Sequence, residues 1–158
     1  MENRTTIDYF YTAFANGDAE RMASCYHENV VFTDPAFGTL HGEDVKNMWR
    51  MLLSRNADIR ISHDNVHANG NSGSANWQAE YTFTPTGRKV INKISSQFLF
   101  LDGKIIKQHD SFDIWKWSRQ AFGWKGFLLG WTSFMKKKIQ TQANKSLSSY
   151  KRKVKSEK

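Results

Sequence analysis

The sequence predicts an α+β fold in which N-terminal helices pack on one face of a curved antiparallel sheet and leave a cone-shaped pocket between the layers. Two features carry that prediction. Apolar residues recur three and four apart from Ile7 to Leu53 and then at every second position from Ile59 onward. Asp102-Gly103, set between two alternating runs, is the strongest two-residue hairpin signal in the chain.

Ile7, Phe10, Tyr11 and Phe14 predict a helix over residues 5–15, stopped by Asn16-Gly17. Asp18 caps a second helix, Ala19 to His27, which buries Met22, Cys25 and Tyr26. The β-branched run Val30-Val31-Phe32 reads as a short strand that stops at Asp34-Pro35, and a loop holding Gly38 and Gly42 follows. Glu43 and Asp44 open a third helix with Val45, Met48, Trp49, Leu52 and Leu53 on one stripe. Ile59 and Ile61 begin the sheet, and Asn69 to Ser74 is a turn cluster. Trp77, Ala79, Tyr81 and Phe83 line one face of a strand, Pro85-Thr86-Gly87 turns, Val90 to Leu101 forms the next strand, and Lys104 to Trp117 returns antiparallel.

The 158 residues, 39% hydrophobic and 14% aromatic with only two prolines, exclude a disordered chain, because that much apolar surface offsets chain entropy. The net charge of +8 suggests an anionic partner until it is located. Residues 136–158 hold nine bases and one acid, whereas the preceding 135 residues hold 14 of each. A nucleic-acid surface over the body is therefore excluded, and no nucleic-acid partner is expected. Cys25, the single cysteine, forms no internal disulfide and has no Cys partners for zinc, which points to a reducing, cytoplasmic setting. Met1 to Arg4 is polar, and the apolar cluster Phe127 to Met135 is interrupted by Gly130, Thr132 and Ser133, so neither a secretory signal nor a membrane span is expected. His63 and His67 lie four apart in a strand pattern and read as surface residues, with no metal site among the five histidines. No phosphate loop or nucleophile elbow is present.

Four stretches carry a resemblance: residues 10–18 (Phe-Tyr-Thr-Ala-Phe-Ala-Asn-Gly-Asp), 30–35 (Val-Val-Phe-Thr-Asp-Pro), 38–42 (Gly-Thr-Leu-His-Gly) and 109–113 (His-Asp-Ser-Phe-Asp). Their order and spacing resemble the nuclear transport factor 2-like superfamily, in its ketosteroid isomerase and SnoaL-like polyketide cyclase branch. The resemblance implies a cystatin-like α+β roll over residues 1–115, leaving 116–158 as a Trp-rich and basic extension. It does not by itself imply one activity, since the fold hosts isomerases, hydrolases, cyclases and proteins without chemistry.

By that resemblance Asp34 stands where the isomerases carry their general base. A carboxylate among apolar side chains is poorly solvated, its pKa rises, and it becomes a better base toward a proton beside a carbonyl. The plainer reading is an Asp-Pro turn with the carboxylate bonded to nearby amides. The isomerases' oxyanion donors do not carry over. Phe10 stands in the tyrosine's place, neither Tyr9 nor Tyr11 points the same way on a helix, and Ser96 stands in the acid's place, which disfavours steroid isomerisation. Gln108, Asp110 and Phe112 share a face on the last strand, and Asp110 matches an aspartate frequent in SnoaL-like proteins. Asp34 and Asp110 are thus the candidate catalytic pair; the alternative is that Asp110 bonds Ser96 or Gln108 as a satisfied buried group. Phe10, Phe32, Trp49, Trp77, Tyr81, Ser96, Phe98, Gln108 and Phe112 are the candidate ligand-binding residues, joined by Ala79, Phe83 and Ile94. These rings either wall a pocket for a hydrophobic ligand or fill it. No arginine is evident among the inward positions, and no cofactor is called for.

Four of the six tryptophans, Trp115, Trp117, Trp124 and Trp131, fall between Ile114 and Met135. A helix follows from Ser133, capped by Thr132 or Ser133, with Met135, Ile139, Ala143, Leu147, Tyr150 and Val154 on a narrow stripe. Either the Trp-rich stretch packs over the barrel mouth or a dimer partner while the lysines keep a protruding helix soluble, or the segment anchors the chain at a membrane surface or acidic partner. The expected protein is a homodimeric pocket protein binding a hydrophobic organic molecule, with proton-transfer chemistry at Asp34 and Asp110. The other class it fits is a non-catalytic binding or interaction module.

Overall fold

The computed structural model describes residues 2–130 and 132–158, so Met1 and Trp131 lie outside the described residues. In chain order the elements are α1 (Asn3–Ala15), α2 (Ala19–Ser24), β1 (Tyr26–Asp34), β2 (Gly38–His41), α3 (Glu43–Arg55), β3 (Arg60–Asn69), β4 (Ser72–Phe83), β5 (Arg88–Leu101), β6 (Lys104–Ser111), α4 (Ile114–Phe122), α5 (Trp124–Leu129) and α6 (Ser133–Ser156).

The six strands form one sheet in the order β2-β1-β6-β5-β4-β3. Every pairing is antiparallel except that of β1 with β6. Register irregularities at Asp64/His67, where Asn65 has φ 51°, and at Leu99/Phe100 add local twist and curve the sheet. Along β5, Val90, Ile94, Ser96, Phe98 and Phe100 alternate inward, and α1 and α3 cover that face with Ile7, Phe10, Tyr11, Phe14, Met48 and Trp49. Asp102 (φ 52°) and Gly103 (φ 74°) close the β5–β6 hairpin in the left-handed backbone that such a turn requires. Gly42 (φ 55°, ψ −125°) precedes α3 in a conformation open mainly to glycine.

Four local expectations change. The second helix ends at Ser24, and β1 begins at Tyr26, because pairing with β6 draws the chain into the sheet earlier than propensity indicates. The loop expected at Gly38 to Gly42 is largely strand β2, whose register Phe32↔Leu40 buries Leu40. The last strand stops at Ser111: Asp113 accepts a hydrogen bond from the Lys116 amide (3.0 Å) and starts α4, so Trp115 and Trp117 are helical. His63, expected at the surface, is half-buried, meets Asp8 Oδ1 at 3.0 Å and stacks on Tyr11.

The extension folds back on the body. Ile139 and Leu147 of α6 are buried, Met135, Ala143 and Tyr150 pack beside them, and Lys151 pairs with Asp44 of α3 (2.5 Å). The apolar stripe of α6 is therefore spent on the protein itself. α5 crosses α4 at Gly126, where a Cβ would stand 1.9 Å from the Ser118 carbonyl oxygen. Gly126→Ala should cost about 1–3 kcal/mol by pushing α5 off α4; a thermal melt unchanged from the parent would contradict that close approach. No helix among the described residues is long and apolar enough to cross a membrane.

Candidate functional site

The parallel pairing of β1 with β6 brings the two candidate acids together. Phe32 is opposite Gln108 and Thr33 opposite His109, and Asp34 and Asp110 each lie one position beyond that last pair, on strands about 4.8 Å apart. Across the other edge of β6, Asp110 is opposite Ser96 of β5. Asp34 and Asp110 both line one cavity of about 330 Å3.

Asp34 sits at the end of β1, where Oδ1 accepts hydrogen bonds from the amides of Ala36 (3.0 Å) and Phe37 (2.6 Å). The turn expected of Asp34-Pro35 is thus present, with the other carboxylate oxygen left over. Burial pushes the Asp34 carboxyl up to about 6 against the lowering effect of those two amides.

Asp110 is 2% exposed. Two chains of donors converge on its Oδ1. In one, Tyr11 Oη (2.8 Å) and Trp77 Nε1 (2.9 Å) donate to Ser96 Oγ, which donates to Asp110 at 2.5 Å. In the other, Trp49 Nε1 donates to Tyr26 Oη (2.7 Å), Tyr26 donates to Gln108 Oε1 (2.6 Å), and Gln108 Nε2 donates to Asp110 at 3.1 Å. Burial pushes Asp110 up to about 7 despite those donors, and the charge of Asp34 adds to the rise. Because Oδ1 already receives two donors, the proton of the neutral acid belongs on Oδ2. Burial, and next the charge of Asp110, hold the Tyr11 and Tyr26 hydroxyls well above the ordinary tyrosine range, so both remain donors.

Trp49, Trp77, Tyr81 and Phe112 line the cavity as expected, with Ala79, Phe83 and Ile94. Phe10, Phe32, Ser96, Phe98 and Gln108 do not: they are buried in the layer behind the wall, where Phe10 packs on Tyr11, Tyr26 and Trp49. A two-residue period sorts faces of a strand but not depth within a packed layer, which explains the difference. Ser96 and Gln108 touch the site only through Asp110. Tyr11 does point inward, toward the sheet, while Phe10 points toward Trp49, because the buried face of α1 is broad enough to hold both.

Two contributions, Arg55 and α6, escaped the sequence reading, and a third, Trp117, was expected only as part of a Trp-rich stretch packed over the barrel mouth or a dimer partner. Arg55, in the last turn of α3, is the one guanidinium lining the cavity among the described residues, and it carries no ion pair there. Its position three after Leu52 and seven after Met48 was the available signal. Trp117 of α4 lines the cavity and donates to Tyr81 Oη at 2.8 Å. From α6, Ile139, Gln142, Ala143 and Ser146 complete the wall, while Gln140 Nε2 donates to Pro35 O (3.1 Å) and Asn144 Nδ2 to Phe37 O (2.8 Å). α6 therefore clamps the turn that carries Asp34. The exposed lining residues Arg55, Thr84, Pro85 and Gln142 mark the mouth. A second hollow, about 510 Å3, lined mostly by polar residues of β3, β4 and β5 with Trp77, Ile94 and Ser111, includes neither acid.

Solved structures share this architecture. A nuclear transport factor 2-like protein of unknown function from Burkholderia pseudomallei is 22% identical, with 77% of this chain and 99% of that one covered and a TM-score of 0.66. An LEH-like epoxide hydrolase of Mycobacterium tuberculosis is 19% identical over 82% of this chain and 91% of its own, with a TM-score of 0.64. IdmH of Streptomyces antibioticus, a proposed polyketide cyclase, is 18% identical over 76% of this chain and 98% of its own, with a TM-score of 0.65. At these identities the likeness speaks for the fold alone. Comparison with curated proteins found no match. The family model described as SnoaL-like domain matches residues 7–108, which takes in Asp34, Ser96 and Gln108 and stops two residues short of Asp110, so the chain belongs to the SnoaL-like domain family.

Proposed function

We propose that this protein binds a hydrophobic organic molecule in the cavity between α3, α6 and the sheet, and transfers protons on it with Asp34 as base and Asp110 as acid. The single observation that carries this reading is the placement of both carboxyls, each one position beyond the last β1–β6 register pair, on one aromatic-lined cavity. Burial raises both carboxyls into the neutral range, and the charge of Asp34 raises Asp110 further, which favours Asp34 as the carboxylate and Asp110 as the acid of the pair. An enol or enolate formed by Asp34 taking a proton beside a carbonyl would meet the Oδ2 proton of Asp110 at the carbonyl oxygen.

A second reading has its own observation. Each acid has an oxygen fully engaged by protein donors, as a structural buried polar group would. On that reading the chain is a ligand-binding or interaction module without chemistry. Cytoplasmic placement rests on the unpaired Cys25, and homodimerisation on expectation alone.

Carboxyl NMR titration separates the two readings. Asp34 should titrate near 6 and Asp110 near 7; ordinary values near 4 for both would leave the acid/base reading without basis. With 2-naphthol as a fluorescent probe, Ala79→Phe, which fills the cavity, should weaken binding at least tenfold while the circular dichroism spectrum is kept. Equal affinity would place the probe elsewhere.

A further inference from the structure

We propose that α5 and the first turn of α6 form a docking surface for an anionic lipid bilayer. α5 is amphipathic in the reverse of the usual sense. Its Gly126 lies against α4 while large apolar side chains face outward: Trp124 is 70% exposed, Phe127 53% even with its ring against Trp115, Leu129 47%, and Phe134 at the start of α6 is 73% exposed. Elsewhere, among the described residues, the exposed large hydrophobic residues are Ile91, Leu99 and Leu101 on the sheet. Soluble surfaces rarely group tryptophan, phenylalanine and leucine in this way without a partner.

Charge identifies the partner. Exposed Lys125 lies beside Trp124, and exposed Lys136, Lys137 and Lys138 follow Phe134 within a helical turn. None of these four lysines forms an ion pair among the described residues. The last three begin residues 136–158, the segment that holds the whole net charge of +8 over a neutral body. A second copy of the chain would set these lysines against lysines, a like-charge contact that disfavours self-association here. A nucleic acid would use the lysines and leave the exposed rings in water. An anionic bilayer uses both: Trp and Phe enter the headgroup boundary, and lysines meet the negative surface potential.

The apolar stripe of α6 is not the docking element, since Ile139 and Leu147 are buried on the body. The docking face instead adjoins the cavity wall built by Trp117 and Phe122 of α4 and Ile139 of α6. If the ligand reading above is right, a hydrophobic molecule would have a short route between bilayer and cavity. The lipid surface itself stands or falls without that reading.

Co-sedimentation of the full chain with vesicles tests it, using phosphatidylcholine alone and phosphatidylcholine with about 30% phosphatidylserine, in about 0.1 M salt. The chain should bind the anionic vesicles at least tenfold more tightly than the neutral ones and lose most of that binding in about 1 M salt. Phe127→Ser with Phe134→Ser, and separately Lys136, Lys137 and Lys138 each→Gln, should each weaken binding at least tenfold. Both variants should keep the parental melting curve and 2-naphthol affinity, which shows that the pocket is intact. No sedimentation of the parent, or equal sedimentation of the variants, overturns the proposal. So does a parent dimer that ignores vesicles and turns monomeric when the two phenylalanines are replaced, because the surface would then join two copies.

Discussion

Raising the pH from 4 to 8 should lower the stability of this protein, and Asp110→Asn should remove most of that slope. An aspartate in the unfolded chain titrates near 4, while Asp110 in the folded protein holds its proton up to about 7. Between those values the folded state binds more protons than the unfolded one, so unfolding becomes easier as pH rises. The effect is absent below about pH 4, builds through about pH 7, and is complete above it. Three units correspond to about 4 kcal/mol at most for Asp110. Asp34, raised to about 6, contributes in the same sense but less, since it is half-buried. Glu20, held below its usual value by Arg50, acts in the opposite sense and only below about pH 4.5. In Asp110→Asn the amide oxygen can accept the same bonds from Ser96 and Gln108. The variant should therefore match the parent near pH 4 and exceed it by a few kcal/mol near pH 8. Urea midpoints read across that range decide it; parallel curves would mean that Asp110 is not the buried acid described here.

Leu147→Asp should detach α6 and lower the Asp34 pKa together. Leu147 is 3% exposed within the main core, and replacing it with a charge forfeits its burial and adds an unpaired carboxylate, about 3–5 kcal/mol in all. That exceeds what the Lys151–Asp44 pair and the Gln140 and Asn144 bonds can hold at a half-exposed surface. With Ile139 and Ala143 gone from the wall, water reaches Asp34 and its carboxyl should fall from about 6 toward about 4. Trypsin should then cut early at Lys136 to Lys145, while the body keeps its melting transition. An unchanged Asp34 titration in a chain whose α6 is cut would show that the sheet alone desolvates it.

How much of the site was legible follows from what a periodic pattern can carry. The two-residue period put Trp77 with Tyr81 on one face and Asp110 with Phe112 on one face, because that needs only the local alternation of side chains; that the Asp110 face lines the pocket, and that Asp34 stands there, was implied by the family resemblance. The partners that set their chemistry come from afar: Tyr11 lies 85 residues from Ser96 and Tyr26 lies 82 from Gln108. Nothing local in Tyr26, read as helical, signals a donor to a glutamine of the last strand. Depth was equally hidden, which is why Phe10, Phe32 and Phe98 were expected on a wall that they only support.

The sequence by itself determined the α+β class, the β5–β6 hairpin and the confinement of the charge to the last 23 residues, since each is written in composition or local period. Tertiary structure alone decided that β1 lies parallel to β6, which makes Asp34 and Asp110 neighbours. It also decided that α6 spends its stripe on the cavity and that α5 turns its rings outward over a glycine. The physical reason is shared: which of several apolar faces is buried depends on what surface the rest of the chain presents to it, and periodicity records only that a face exists.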